Sequence, residues 1–332
     1  MMASSSASTP YLKAKARNPQ LSNTVRVALI QARPVYYDLN KTVRAACSLL
    51  SEAARQGAQL VAFGETFFPG YPAWLDYAVD YARWDHPPTK QLYARLVANS
   101  MTIDSPEMRM LQEAARKSEV VAVLGMNERV SYGRGNRSLY NSIVTIDADG
   151  AIANHHRKLR PTYTEQLVWA PGDGAGLRAV ATAAGRVGGL ICWEHWMPHA
   201  RQALHISNEA IHVALWPAVK ESHQIASRHY AFEGRAFVLA VGSIMPVCDF
   251  PAELDLPEDL RAQPESWLLN GGSAVIAPDG EYLIKPVYGE ETILYADLDM
   301  HRIAEEQMTL DVSGGYARDD IFSFEVNRKR LE

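Results

Sequence analysis

The sequence predicts an α/β fold, with two β-sheets and helices packed outside them, built as one folding unit. Two observations carry this expectation. Short β-branched apolar runs alternate with helix-length stretches in both halves of the chain, and no linker or low-complexity block divides its 332 residues. The composition, 47% hydrophobic against 21% charged, is that of a folded chain rather than a disordered one.

Residues 25–31 form a buried strand, and residues 39–56 a helix stopped by Gly57. A short apolar run follows at 60–63. Ser105 and Pro106 supply a cap and a first turn for a helix reaching about Lys117. Residues 120–126 and 140–147 are β-branched strands, and Asp149-Gly150 makes a hairpin-type turn. The second half repeats the grammar: strand 187–192, helix 198–207, strand 211–216, helix 221–235 and strand 237–243. Residues 273–277 turn at Asp279-Gly280 into 282–285, and 292–297 closes the series. The Pro- and acid-rich stretch 245–265 is expected to be a surface insertion. Residues 1–23, rich in Ser and Ala, are expected to be a disordered tail, since so little apolar surface cannot offset ordering entropy. Residues 24–332 form the single domain.

Charge and cysteine content narrow the function classes. Lys and Arg total 33 and Asp and Glu 38, a formal net charge of −5, so there is no basic footprint for nucleic acid. No apolar run reaches transmembrane length, so no membrane partner is expected. The cysteines, Cys47, Cys192 and Cys248, are odd in number and widely spaced. A disulfide framework is therefore not expected, and a reducing cytoplasm fits best.

Three strand-end residues could do chemistry. Cys192 closes an apolar run and precedes Trp193-Glu194-His195, where backbone N–H groups and a helix dipole would favour a thiolate. An arbitrary cysteine is more often a small buried hydrophobe, as expected for Cys47 and Cys248. Glu65 follows Val61-Ala62-Phe63-Gly64 and precedes an aromatic, Pro- and Gly-rich loop. Apolar surroundings would raise its pKa toward that of a general base; the plain alternative is an exposed strand-end carboxylate. Lys158 sits among His155, His156, Arg157 and Arg160, which is either a solvated basic face or the setting of a lysine that stabilises a thiolate and an anionic intermediate. Glu165 stands seven residues on, placed to anchor the lysine or to bind a substrate nitrogen.

Taken together, these blocks resemble the nitrilase superfamily of carbon–nitrogen hydrolases. The resemblance rests on Phe63-Gly64-Glu65-Thr66 with Gly70-Tyr71-Pro72, on His156-Arg157-Lys158-Leu159 with Pro161-Thr162 and Glu165, and on Gly189-Leu190-Ile191-Cys192-Trp193-Glu194-His195. It extends over about residues 25–326. Cys192-Trp193-Glu194-His195, Gly70-Tyr71-Pro72-Ala73-Trp74 and Leu167-Val168-Trp169 point to the nitrilase branch. Gly314-Gly315-Tyr316-Ala317-Arg318-Asp319 departs from the Gly-His-Tyr and Arg-Pro usual there.

The resemblance implies a four-layer α-β-β-α sandwich with Glu65, Lys158 and Cys192 as the catalytic triad, supported by Glu165 and the Trp193 N–H. It implies hydrolysis of a small nitrile to acid and ammonia through a thioimidate and a thioester on Cys192, without cofactor or metal. It also implies a homo-oligomer using helices 198–207 and 221–235. Tyr71, Trp74, Trp169, Trp193 and Trp196 are the expected aromatic walls of the substrate pocket, suited to an aliphatic or arylaliphatic mononitrile. The same atoms could serve an amidase. Two readings from other classes are a zinc hydrolase using Cys192, His195 and His199 with His155 or His156, and a non-catalytic scaffold.

Overall fold

The first strand shows how the layers arise. In β1 (Thr24–Gln31), Val25, Val27 and Leu29 enter one apolar layer and Ala28 and Ile30 another, as a period of two requires. β2 (Leu60–Phe63) and β3 (Val121–Arg129) repeat the division: Leu60, Ala62, Val121 and Val123 on one side, Val61, Phe63, Ala122 and Leu124 on the other. The computed structural model describes residues 24–131 and 137–331, so the expected tail at 1–23 lies outside the described residues.

β4 (Leu139–Ile146) and β5 (Ile152–Arg157) extend this sheet as antiparallel strands beyond the parallel β1, β2 and β3. The second sheet holds β6 (Val180–Thr182), β7 (Gly185–Ile191), β8 (Ile211–Trp216), β9 (Phe237–Gly242), β10 (Ile244–Pro246), β11 (Trp267–Ile276) and β12 (Tyr282–Tyr288). Its centre, β7, β8 and β9, is parallel. β13 (Thr292–Asp299) returns to pair antiparallel with β1 and closes the first sheet.

Helices cover the outer faces. α1 (Leu39–Arg55) starts at an Asp38 cap and lays Val43, Ala46, Leu50 and Ala53 on the first sheet. Beyond it, α2 (Trp74–Tyr77) and α3 (Pro87–Asn99) lead to α4 (Pro106–Ser118), capped by Ser105 as expected and packed beside α1. On the second sheet lie α5 (Pro198–His205) and α6 (Glu221–Gly234), which contribute Ala203, Leu204 and Tyr230 to the core. α7 (Glu258–Arg261) and α8 (His301–Gln307) are short additions. The four-layer order α-β-β-α therefore holds.

Two expectations change. Segment 245–265 is only in part a surface insertion: Met245, Val247, Leu254 and Leu256 are buried in a third apolar cluster with Tyr37, Trp74, Leu92 and Leu96, while 261–265 is exposed. Its apolar residues follow neither the helical nor the strand period, because they fill a hollow instead of forming a regular face. β11 begins at Trp267 rather than at Ser273, since Gly271 and Gly272, at φ +79° and +84°, break the apolar pattern without ending the strand.

This architecture brings three strand ends to one place. Glu65 stands two residues after β2, Lys158 directly after β5 and Cys192 directly after β7. The carboxyl ends of strands in α/β sheets are where such folds leave crevices.

Candidate active site

Glu65 lies in a sharp turn whose next residue, Thr66, has φ +46°. Gly125 on β3 leaves room for that turn; a Cβ there would collide with the backbone of Gly64 and Thr66. The Glu65 side chain is fully buried, and its Oε1 accepts from Asn141 Nδ2 on β4 (2.7 Å) and Lys158 Nζ (3.2 Å). Oε2 has no hydrogen-bond partner among the described residues. Burial lifts the Glu65 pKa to about 7; Lys158 and the Asn141 hydrogen bond oppose the rise, and the Glu165 carboxylate adds to it.

The basic run around Lys158 is not a solvated face. Alternation along β5 sends His155 and Arg157 to one side, where both bond Glu128, and His156 and Lys158 to the other. His156 meets Glu194, and Lys158 donates to Glu65 and to Glu165 Oε2 at 2.6 Å. Burial works against the ammonium, but Glu165 and Glu65 outweigh it and raise the Lys158 pKa, so the cation persists. Glu165 is itself held by the Thr162 backbone N–H (2.7 Å) and the Tyr71 hydroxyl (3.2 Å), within a short 3-10 turn, Tyr163–Leu167.

Cys192 opens a second 3-10 turn, Cys192–Trp196, and has φ +52°. A non-glycine residue in this region costs of order 1–3 kcal/mol, a strain found at functional sites. The Trp193 N–H donates toward its sulfur. The thiolate expected from sequence is not the resting form. Burial and the Glu65 carboxylate push the thiol pKa well above its ordinary value, although Lys158 pulls the other way.

Glu194 joins the lysine and cysteine loops. Its carboxylate accepts from the backbone N–H of Leu159 (2.7 Å) and of Ile191 (2.8 Å), neighbours of Lys158 and Cys192, and faces His156 Nε2 at 3.0 Å. Sequence reasoning gave neither Glu194 nor Asn141 a role. For Asn141 the signal was an amide inside a β-branched strand, and for Glu194 an acid two residues after the cysteine.

A cavity of about 430 Å³ opens over Cys192, lined by Tyr71, Tyr77, Tyr163, Trp193 and Leu269 with Asp76, Lys220 and His223 among its polar groups. Of the five expected aromatic walls, Tyr71 and Trp193 line it. Trp169 is buried behind Tyr71, its ring centroid 6.0 Å away, and donates to Asn127. Trp74 donates to the Tyr37 hydroxyl beside a neighbouring hollow, and Trp196 lies edge-on to Trp216. The zinc-type set is not brought together: His195 faces the Cys192 carbonyl and His212, His156 faces Glu194, and His199 is exposed near Phe324. Among the described residues one trio of donors converges, Glu65, Glu165 and Cys192, within 4.8 Å of one another. The Lys158 ammonium already bridges its two carboxylates.

The carbon–nitrogen hydrolase family model matches residues 26–307. The chain belongs to this family, also known as the nitrilase superfamily. It is thus a hydrolase acting on carbon–nitrogen bonds. An arylacetonitrilase of Aspergillus kawachii is 37% identical, the match covering 91% of either chain. An aliphatic nitrilase of Rhodococcus rhodochrous is 35% identical, over 93% of this chain and 84% of that one. The fold is shared with a Helicobacter pylori carbon–nitrogen hydrolase at TM-score 0.67 and 21% identity, covering 90% of this chain and 96% of that one. No helix among the described residues is long and apolar enough to cross a membrane.

In this carbon–nitrogen hydrolase the Glu194 staple makes a measurable claim. Glu194→Ala strands two backbone N–H groups and His156, and is expected to cost about 3–5 kcal/mol, the range for breaking a buried pair. Urea unfolding checks it; a loss within about 0.5 kcal/mol, typical of surface positions, would show that the two loops hold without the carboxylate.

Proposed function

We propose that this chain is a nitrilase in which Cys192 is the nucleophile, Glu65 the general base and Lys158 the electrostatic stabiliser, supported by Glu165 and the Trp193 N–H. The observation that carries the reading is the convergence of the Cys192 thiol on Glu65, with the Lys158 ammonium bonded to both Glu65 and Glu165 and all four side chains buried at the floor of the cavity. A thiol at rest with a neighbouring carboxylate of raised pKa suits attack coupled to proton transfer.

Glu65 takes the thiol proton as sulfur adds to the nitrile carbon, and the proton passes to nitrogen to give a thioimidate. Water adds with Glu65 again as base, ammonia departs, and a thioester remains. A second water releases the carboxylic acid and restores the thiol. Positioned proton transfer is worth ~10²–10⁴-fold. Lys158 and the Trp193 N–H would stabilise the anionic nitrogen or oxygen, roughly 3–4 kcal/mol for one such donor. No cofactor enters any step.

The substrate we propose is a small aliphatic or arylaliphatic mononitrile, supported by the cavity size, the Tyr71 and Trp193 walls and the names of the relatives. Trp169 would act through Tyr71 rather than by contact. The three unpaired cysteines agree with a reducing cytoplasm. A homo-oligomer would use α5 and α6, where Ile206 just after α5 and Ile225 and Phe232 on α6 are exposed.

Three measurements test this reading. Cys192→Ala is expected to lose turnover by orders of magnitude while keeping its circular dichroism spectrum, in an assay of ammonia release from a nitrile and amide panel. Near-normal rates would sink the nucleophile, and activity confined to amides would leave an amidase with the same triad. As base, Glu65 must be unprotonated, so kcat/KM should climb with pH through about 7. Asn141→Ala removes a bond that favours the charged form, so the limb should move upward; a limb that stays put or falls contradicts the assignment. Light scattering after size exclusion should give a multiple of the 36.8 kDa chain that Phe232→Glu reduces; a monomer at all concentrations refutes the oligomer.

A further inference from the structure

Behind the nucleophile runs a second chain of buried polar groups that nitrile hydrolysis leaves unused. His195 points Nδ1 at the Cys192 backbone carbonyl (2.6 Å) and Nε2 at Nε2 of His212 on β8 (2.9 Å). His212 Nδ1 lies 2.8 Å from Oε1 of Glu209, and the Tyr230 hydroxyl on α6 donates to Oε2 at 2.6 Å. None of the four is more than 6% exposed, and the Tyr230 ring stacks on His212 at 3.7 Å. Gly188 on β7 faces this chain because the Glu209 carboxyl fills the space a Cβ would need.

One fixed end sets the direction of every bond. A carbonyl only accepts, so His195 carries its proton on Nδ1. Neutral His195 then offers a bare Nε2, to which His212 donates. Burial keeps His212 neutral, so its Nδ1 is bare and its bond to Glu209 takes a proton from the carboxyl. We infer that Glu209 is a neutral acid that acts through His212 and His195 as a positioning residue for the Cys192 backbone. The inference rests on Cys192 being the nucleophile.

The surroundings agree. Burial raises the Glu209 pKa to about 8, against the Tyr230 hydrogen bond and the nearby His205. Burial also lowers His195 to about 3 and His212 well below its ordinary value; His205, Glu194 and His223 are the other titratable groups that face them. Glu233 on the same helix and Arg201 on α5 face Tyr230. Loss of the Glu209 proton would draw the His212 proton to Nδ1 and set two bare Nε2 atoms 2.9 Å apart. His195 could relieve that only by moving its own proton to Nε2, which gives up the Cys192 carbonyl. Cys192, already at φ +52°, would lose its anchor.

The test compares Glu209→Gln with Glu209→Ala, using phenylacetonitrile hydrolysis across pH 6–10. Gln donates to His212 and accepts from Tyr230 as the acid does, but cannot ionise. Glu209→Ala should lose kcat by up to ~10²-fold with KM little changed, the scale of a misplaced reacting group. Glu209→Gln should recover most of that loss. Wild type should show an alkaline fall in kcat/KM near pH 8 that Glu209→Gln lacks. Equal impairment of both variants, full activity of Glu209→Ala, or the same alkaline limb in wild type and Glu209→Gln overturns the inference. If Glu209→Ala does not fold, the Glu209→Gln pH profile still decides. Stoichiometric alkylation of Cys192 in wild type separates the two ideas: retained activity would remove the nucleophile itself, whatever Glu209 does.

Discussion

Two buried carboxylates share one buried ammonium, and the rest of the site follows from that imbalance. If Glu65, Glu165 and Lys158 were all ionised, the group would carry one net negative charge with almost no water to solvate it. Glu165 is secured by Thr162, Tyr71 and the shorter bond to Lys158, whereas Glu65 has the longer bond and one oxygen without a partner among the described residues. The deficit therefore falls on Glu65, which titrates near neutrality as a general base should. Its unpartnered oxygen is also the one available to a thiol proton or a water.

Such a cluster needs rigid walls, and the fold supplies them in an economical way. Glu65 and Lys158 stand just past the ends of buried strands, so their backbone is fixed by a ladder, and Glu165 is held in a short 3-10 turn closed by Thr162. The two sheets meet at the site, β2 and β5 from one and β7 from the other, and Glu194 ties the loops that leave them. Left-handed backbone at Thr66, Tyr163 and Cys192 falls within or beside the segments that carry Glu65, Glu165 and the thiol. Unfavourable conformations at these points persist because buried neighbours over-determine them.

Much of this was legible in the sequence. The layers, most strands and the long helices follow from apolar periods of two and of three to four, and three separated blocks in fixed order pointed to Glu65, Lys158 and Cys192. What escaped was of another kind. The run from His155 to Lys158 looks solvated in one dimension, because of its acid partners only Glu165 is near in sequence, and Glu128, Glu65 and Glu194 lie 27 or more residues away. Segment 245–265 looks like an insertion because residues that fill a hollow need no period. Nearness to a motif in sequence does not make an aromatic a pocket wall, because an indole such as that of Trp169 or Trp74 finds a buried hydrogen-bond partner and packs away from the cavity. Backbone N–H groups and a helix dipole predict a thiolate, but a five-residue 3-10 turn offers little dipole against full burial.

The interior thus contains two polar networks with opposite requirements, back to back on Cys192. The one in front, with Glu65 and Lys158, is useful because its charge can change: a proton must leave sulfur, rest on a carboxylate and move to nitrogen. The one behind, from His195 to Tyr230, is useful because its charge stays constant. Each of its bonds has a single workable direction, so a chain of neutral groups can hold a strained carbonyl without placing another ion near the reacting sulfur. A carboxylate at 209 would instead add negative charge behind a nucleophile whose thiol pKa is already raised by burial and by Glu65. Keeping the rear network neutral is therefore the electrostatic condition under which one ammonium suffices for the front.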